Sequence, residues 1–180
     1  IHLRKALMYA VDKPNLVRFF RNGLGDAGDF GFVPPSLNAP VNATPQHASI
    51  PAETWEMAQQ EFQKSSYAKQ KTKPVISLST TADYLDMMVY LQETWQRLGV
   101  NIKVDIQTGG MLRQLRNEGK LMLFRGSWIA DYPDAENFLA CFYAPYFSPN
   151  GPNYTHFSNT EFNNLYAQIE SGEGGDAATF

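Results

Sequence analysis

The chain alternates between helical and strand-like spacing of its apolar positions. Leu3, Ala6, Leu7 and Ala10 recur at helical intervals, then the pattern meets Asp12-Lys13-Pro14. Asp12 is placed as an N-cap, and Pro14 falls in a first turn, where its missing N–H costs nothing. Leu16, Val17 and Phe20 continue as a second helix, which Gly23 is placed to end. Residues 23–51 form a long loop punctuated by Pro34, Pro35, Pro40, Pro45 and Pro51. Helical spacing returns over 52–68, with Trp55, Ala58 and Phe62 on one face and Pro51 at the start.

Residues 74–128 then read as strand–helix–strand–helix–strand. Val75 to Thr80 follows Pro74 as a strand, and Asp83 is expected to cap a helix carrying Leu85, Met88, Leu91, Trp95 and Leu98 on one stripe. Gly99 closes that helix. Val100, Ile102, Val104 and Ile106 alternate with Asn101, Lys103, Asp105 and Gln107, the period of a strand. Gly109-Gly110 opens a helix through Leu112, Leu115 and Arg116, which Gly119 ends, and Leu121 to Phe124 reads as a buried third strand. Crossover helices imply right-handed connections and parallel neighbours. Asp83, Gly109-Gly110 and Trp128 to Asp131 are therefore expected along one sheet edge. Asp134 is placed to cap a helix with Phe138, Leu139 and Phe142, followed by an aromatic loop, Tyr143 to Phe157, and a last helix, Thr160 to Ile169. The expected fold is α/β, a parallel βαβαβ core with flanking helices in one domain over 1–170, followed by a polar tail at 171–180.

Composition narrows the class. The chain has 180 residues, of which 43% are hydrophobic and 18% charged, as in folded globular domains. A net charge of -3, a pI of about 5.6 and no basic stripe argue against nucleic acid as a partner. No apolar run reaches bilayer-spanning length. Cys141 is the sole cysteine, so an intrachain disulfide and a thiolate metal site are both excluded. His2, His47 and His156 are scattered without metal-ligand spacing. The chain starts at Ile1 rather than Met and stops in a Gly-rich stretch, so both ends read as cut from a larger protein.

Candidate chemistry gathers after the third strand. Pro133 rules out continuation of that strand, so Arg125, Trp128, Asp131 and Tyr132 are delivered to the sheet edge, where open α/β sheets bind ligands. Asp131 suits either a partly buried anion for a ligand ammonium or a turn carboxylate. Trp128 suits a ligand platform or a cover over the sheet; Arg125 suits an anion contact or a pair with Asp131. Asp131 and Asp134 together suggest a general acid–base pair, although beside Pro133 one is more simply a helix cap. Tyr143, Tyr146, Phe147 and Tyr154 suit sugar stacking or packing on their own domain. Gly109-Gly110 is a weak anion signal, and Asn153-Tyr154-Thr155 fits a glycosylation sequon that is common by chance.

Four further stretches stand in register: Arg4 to Asp12 with Asn22-Gly23-Leu24-Gly25 and Val33-Pro34-Pro35; Leu91 to Ile102; Trp128 to Asp134; and Asn153-Tyr154 with Phe157-Ser158-Asn159 and Glu161-Phe162. Together they resemble the family 5 extracellular solute-binding proteins of bacterial ABC importers, a group that includes oligopeptide- and dipeptide-binding proteins. The resemblance runs from about His2 to Ile169. It implies most of one lobe of a two-lobed, periplasmic-binding-protein-like fold, with the other lobe encoded mainly before Ile1 and partly after Phe180. It implies a non-enzymatic, monomeric transport component without a cofactor, periplasmic or anchored to the cell envelope by an upstream signal or lipid. A membrane permease is the implied partner and a peptide or other small solute the implied cargo. Asp131 would pair with a peptide ammonium, Trp128 would line a side-chain pocket, Arg125 would bind the carboxylate end, and Tyr132 would stand beside them. An oligosaccharide or metal chelate is the alternative cargo within this family, and a carboxylate-dependent hydrolase is the alternative outside it.

Overall fold

A computed structural model describes residues 1–28, 31–38 and 52–172. Much of the 23–51 loop, Pro51 and the tail from 173 lie outside the described residues. The helices are α1 (His2–Tyr9), α2 (Lys13–Phe20), α3 (Pro35–Asn38), α4 (Ala52–Lys64), α5 (Leu85–Leu98), α6 (Gly109–Asn117), α7 (Ala135–Leu139) and α8 (Thr160–Glu170). The strands are β1 (Ile76–Thr80), β2 (Ile102–Ile106) and β3 (Leu123–Phe124). None of the described helices is long and apolar enough to cross a membrane. The described chain divides into two compact units, one of 1–27, 52–112 and 121–125, the other of 28, 31–38, 113–120 and 126–172.

In the first unit all three strands are parallel, in the order β2-β1-β3. β1 is therefore central, and Ile76, Leu78, Ser79 and Thr80 are buried. The third strand joins β1 rather than β2, its neighbour in sequence. It is an edge strand of two paired residues, half-buried, with Met122 67% exposed, not the buried strand that the apolar run suggested. Among the described residues no strand pairs with its other edge.

α5 packs on β1 and β2 through Met88, Leu91, Trp95 and Leu98, on the stripe expected. Gly99 ends it at φ +100°, a conformation that glycine adopts without a Cβ clash. The polar residues Gln92 and Gln96 on α5 reach over β2. Gln92 accepts from Val104 N–H at 2.8 Å, and Gln96 donates to the Ile102 carbonyl at 3.0 Å, which satisfies backbone groups on the outer side of this edge strand. α1 packs on α4 with Ala6 and Ala58 fully buried between them, since small side chains let helices approach closely. Trp95 ties α5 to α1 by donating its indole N–H to the Leu7 carbonyl at 2.9 Å.

Capping follows expectation at two sites and fails at one. Asp12 accepts from Asn15 N–H at 3.0 Å and Asp134 from Glu136 N–H at 2.8 Å. Asp83 caps nothing. The chain leaves β1 through a 3-10 turn, Ala82–Tyr84, which runs straight into α5, so Tyr84 holds the cap position and the Asp83 carboxylate stays exposed.

The second unit is built on aromatic rings. Tyr166 of α8 is fully buried and stacks on Tyr143, with centroids 4.2 Å apart. Phe142 meets Phe32, Phe157 and Phe162 edge-on. Asn153 is also fully buried and uses its whole side-chain amide. Its Nδ2 donates to the Tyr143 and Phe157 carbonyls, and its Oδ1 accepts from Phe157 N–H and the Thr155 hydroxyl. A side chain so enclosed cannot carry a glycan, so the sequon match is incidental.

Candidate functional site

The order β2-β1-β3 puts a topological switch between β1 and β3, because the chain steps from β1 to β2 on one side and then crosses back to β3 on the other. Crevices at the carboxyl ends of such strands are ligand sites in open α/β sheets. Here β1 runs out into the Ala82–Tyr84 turn, and β3 ends at Arg125, whose N–H donates to the Ser79 carbonyl at 3.0 Å. The Arg125 guanidinium lies 3.5 Å from the centre of the Tyr84 ring, a cation–π contact that fixes its direction without neutralising its charge. Beside it, a cleft of about 460 Å³ is lined by Phe19, Phe20, Arg21, Asn22, Asp83, Tyr84, Asp86 and Met87. Its carboxylates and guanidinium suit a polar or zwitterionic ligand better than an apolar one.

Trp128, Asp131 and Tyr132 belong to the second unit, on the loop before α7. Trp128 is half-buried and donates its indole N–H to Asn137 Oδ1 at 2.9 Å. The Tyr132 hydroxyl, on a residue 49% exposed, donates to the Glu136 carboxylate. Glu136 also accepts from the hydroxyl of the buried Tyr166. Glu136 pushes the Tyr132 phenol above its ordinary value, and the Asn137 amide opposes that rise. Desolvation first, then Glu136, pushes Tyr166 up as well. Asp131 is exposed rather than partly buried, and no hydrogen bond ties it to the described residues. It is available to an incoming cation.

The aromatic loop proves to be packing material. Tyr143 stacks on Tyr166, Phe147 on His156, and Tyr154 lies under the Arg116 guanidinium. The suggested carboxylate pair is divided in function, since Asp134 is occupied by its cap. Burial pushes the Cys141 thiol up to about 11, which leaves it protonated and unreactive near neutrality. Among the described residues no group of three or more His, Cys, Asp or Glu side chains is placed to hold a metal ion.

A sequence model of the bacterial extracellular solute-binding proteins, family 5 Middle, matches residues 1–150. The chain belongs to this family. The periplasmic oligopeptide-binding protein OppA of Escherichia coli (strain K12) is 22% identical over 171 residues, 93% of this chain and 31% of the relative. The chain thus spans about a third of the length of the curated relatives it matches. Two solved structures share the fold. DppA from Helicobacter pylori, in complex with the peptide STSA, superposes with a TM-score of 0.76 at 17% identity, over 93% of this chain and 32% of that one. A peptide-binding protein of a peptide ABC transporter gives a TM-score of 0.77 at 21% identity, over 98% of this chain and 79% of that one.

Tyr84, Asn137 and Glu136, which contact Arg125, Trp128 and Tyr132, are the residues that sequence reasoning missed. Tyr84 had one available signal, an aromatic placed four residues past a strand end. Asn137 and Glu136 were hidden inside the short α7, where polar residues pass for a solvated face; Asn137 is in fact only 6% exposed.

Proposed function

We propose that this chain is part of the substrate-binding component of an ABC importer that captures peptides, outside the cytoplasmic membrane, for delivery to a membrane permease. The observation that carries this is the family match over residues 1–150, which includes both Arg125 and the Trp128–Asp134 stretch. The names of the relatives, oligopeptide-binding and peptide-binding proteins, support peptides as the cargo. Asp131 receives the peptide ammonium: it is exposed, anionic and uncommitted. Trp128 and Tyr132 flank it and supply apolar contact with polar tips. Arg125 takes the carboxylate end, its guanidinium held over Tyr84 with its donors free for a planar anion. The protein is a carrier rather than a catalyst; closure of a hinge around the ligand is the motion such proteins use. Inward packing of the 143–157 aromatics argues against sugar stacking as the principal contact.

Calorimetry on the complete protein tests this. A charge-assisted hydrogen bond contributes about 1.5–3 kcal/mol, so free-amine peptides should bind roughly ten- to a hundredfold more tightly than N-acetylated ones. Asp131→Ala should abolish that preference. Equal affinity for both peptide classes in the wild type would rule out the ammonium role of Asp131.

A further inference from the structure

The loop carrying Trp128 and Tyr132 contains no helix or strand, yet both side chains are fastened. Both anchors come from consecutive residues of α7, a helix that Asp134 caps at its start. Glu136 is in turn held by Tyr166 of α8, which is fully buried and stacked on Tyr143. The chain of support therefore runs from the aromatic core to α7 and from α7 to the two rings on either side of Asp131.

We infer that Asn137 is a positioning residue for solute capture, holding the Trp128 indole in the orientation it presents to the ligand while Glu136 does the same for Tyr132. The inference rests on the peptide-binding reading for its ligand but not for its geometry. An indole N–H has a single donor, and Asn137 Oδ1 takes it, so the ring can tilt only by breaking that bond. Pre-arranged side chains bind more tightly because less rotamer freedom is lost on association. The buried Asn137 has a clear reason to be polar: an apolar residue of its size would leave the indole donor unmatched.

A double-mutant cycle on the complete protein separates positioning from general structural damage. Trp128→Phe, Asn137→Leu and the double variant are compared for peptide affinity, and the emission of Trp128 is read as the wild-type spectrum minus that of Trp128→Phe. Asn137→Leu should shift that difference spectrum and weaken peptide binding about five- to tenfold, the scale of one lost hydrogen bond. In the Trp128→Phe background the same substitution should cost almost nothing. An equal cost in both backgrounds, or an unchanged difference spectrum, overturns the proposal. A wild type that binds no peptide refutes the peptide reading instead, and the emission comparison still decides whether Asn137 holds Trp128. Glu136→Gln, which keeps an acceptor for Tyr132, should bind peptide within about twofold of wild type, whereas Glu136→Leu should not; equal binding by the two variants overturns the second half of the proposal.

Discussion

Asn153 offers the sharpest test of how the second unit holds its long loop. Its four hydrogen bonds, at 3.1 and 2.9 Å from Nδ2 and 3.1 and 3.2 Å to Oδ1, join Tyr143, Thr155 and Phe157 through one fully buried side chain. Asn153→Ala removes all of them and strands two carbonyls and one N–H. At about 1 kcal/mol net for each neutral hydrogen bond, the upper bound is about 4 kcal/mol. Thr155 is exposed and Phe157 is 41% exposed, so water recovers part of this, and about 2–3 kcal/mol of local stability is lost. Amide hydrogen exchange followed at Phe157 reads that loss directly, as a drop in protection of roughly thirty- to a hundredfold. Asn153→Asp keeps both acceptor bonds but turns a carboxylate toward two carbonyls. It should destabilise the loop at least as much, because the oxygen that replaces Nδ2 faces two carbonyls with no donor, and a buried charge so placed costs more than an empty site. A Phe157 amide that exchanges in Asn153→Ala at the wild-type rate would refute the reasoning, as would an Asp variant more stable than wild type.

Two further outcomes follow from the first unit. Glu61 is held by Lys64 at 2.8 Å and His2 at 2.7 Å, and these hydrogen bonds lower its pKa from 4.5 to about 2. The folded value lies below the unfolded one, so its contribution is complete above pH 4.5 and disappears as pH falls from 4.5 through about 2. The difference in melting temperature between wild type and Glu61→Gln should close over that window, and a gap that stays constant from pH 6 to pH 2 would contradict this. Gly99→Ala places a methyl group 3.2 Å from the Phe62 ring at a φ of +100°, and should cost about 1–2 kcal/mol in a denaturation midpoint. No change there would mean that the α5 terminus can relax.

Local periodicity made most elements legible. The stripe Met88, Leu91, Trp95, Leu98 and the alternation through Ile102 and Val104 are each written in a few consecutive residues, so helix and strand follow without tertiary knowledge. Sheet order is different. Nothing in the spacing of Leu121 to Phe124 says whether that segment joins β1 or β2, and only the packing of the whole unit decides it. Asp12, Asp83 and Asp134 look alike as caps, yet the turn after β1 takes a 3-10 form and displaces Asp83 from the role. At the candidate site, Trp128, Asp131 and Tyr132 were visible because they fall within five consecutive residues. Their supports were not, because Asn137 and Glu136 act through side-chain geometry and Arg125 finds Tyr84 from a distant part of the chain.

The two rims of the small sheet are unlike. On β2 the outer N–H of Val104 and the carbonyl of Ile102 are taken by Gln92 and Gln96, whereas no side chain among the described residues bonds the outer backbone of β3. A further strand approaching β2 must first displace two amides, while one approaching β3 meets no such bond among the described residues. The sheet is therefore polar in its capacity for growth: recruitment of another strand, whether in assembly or in misfolding, is directed to the rim that ends at Arg125.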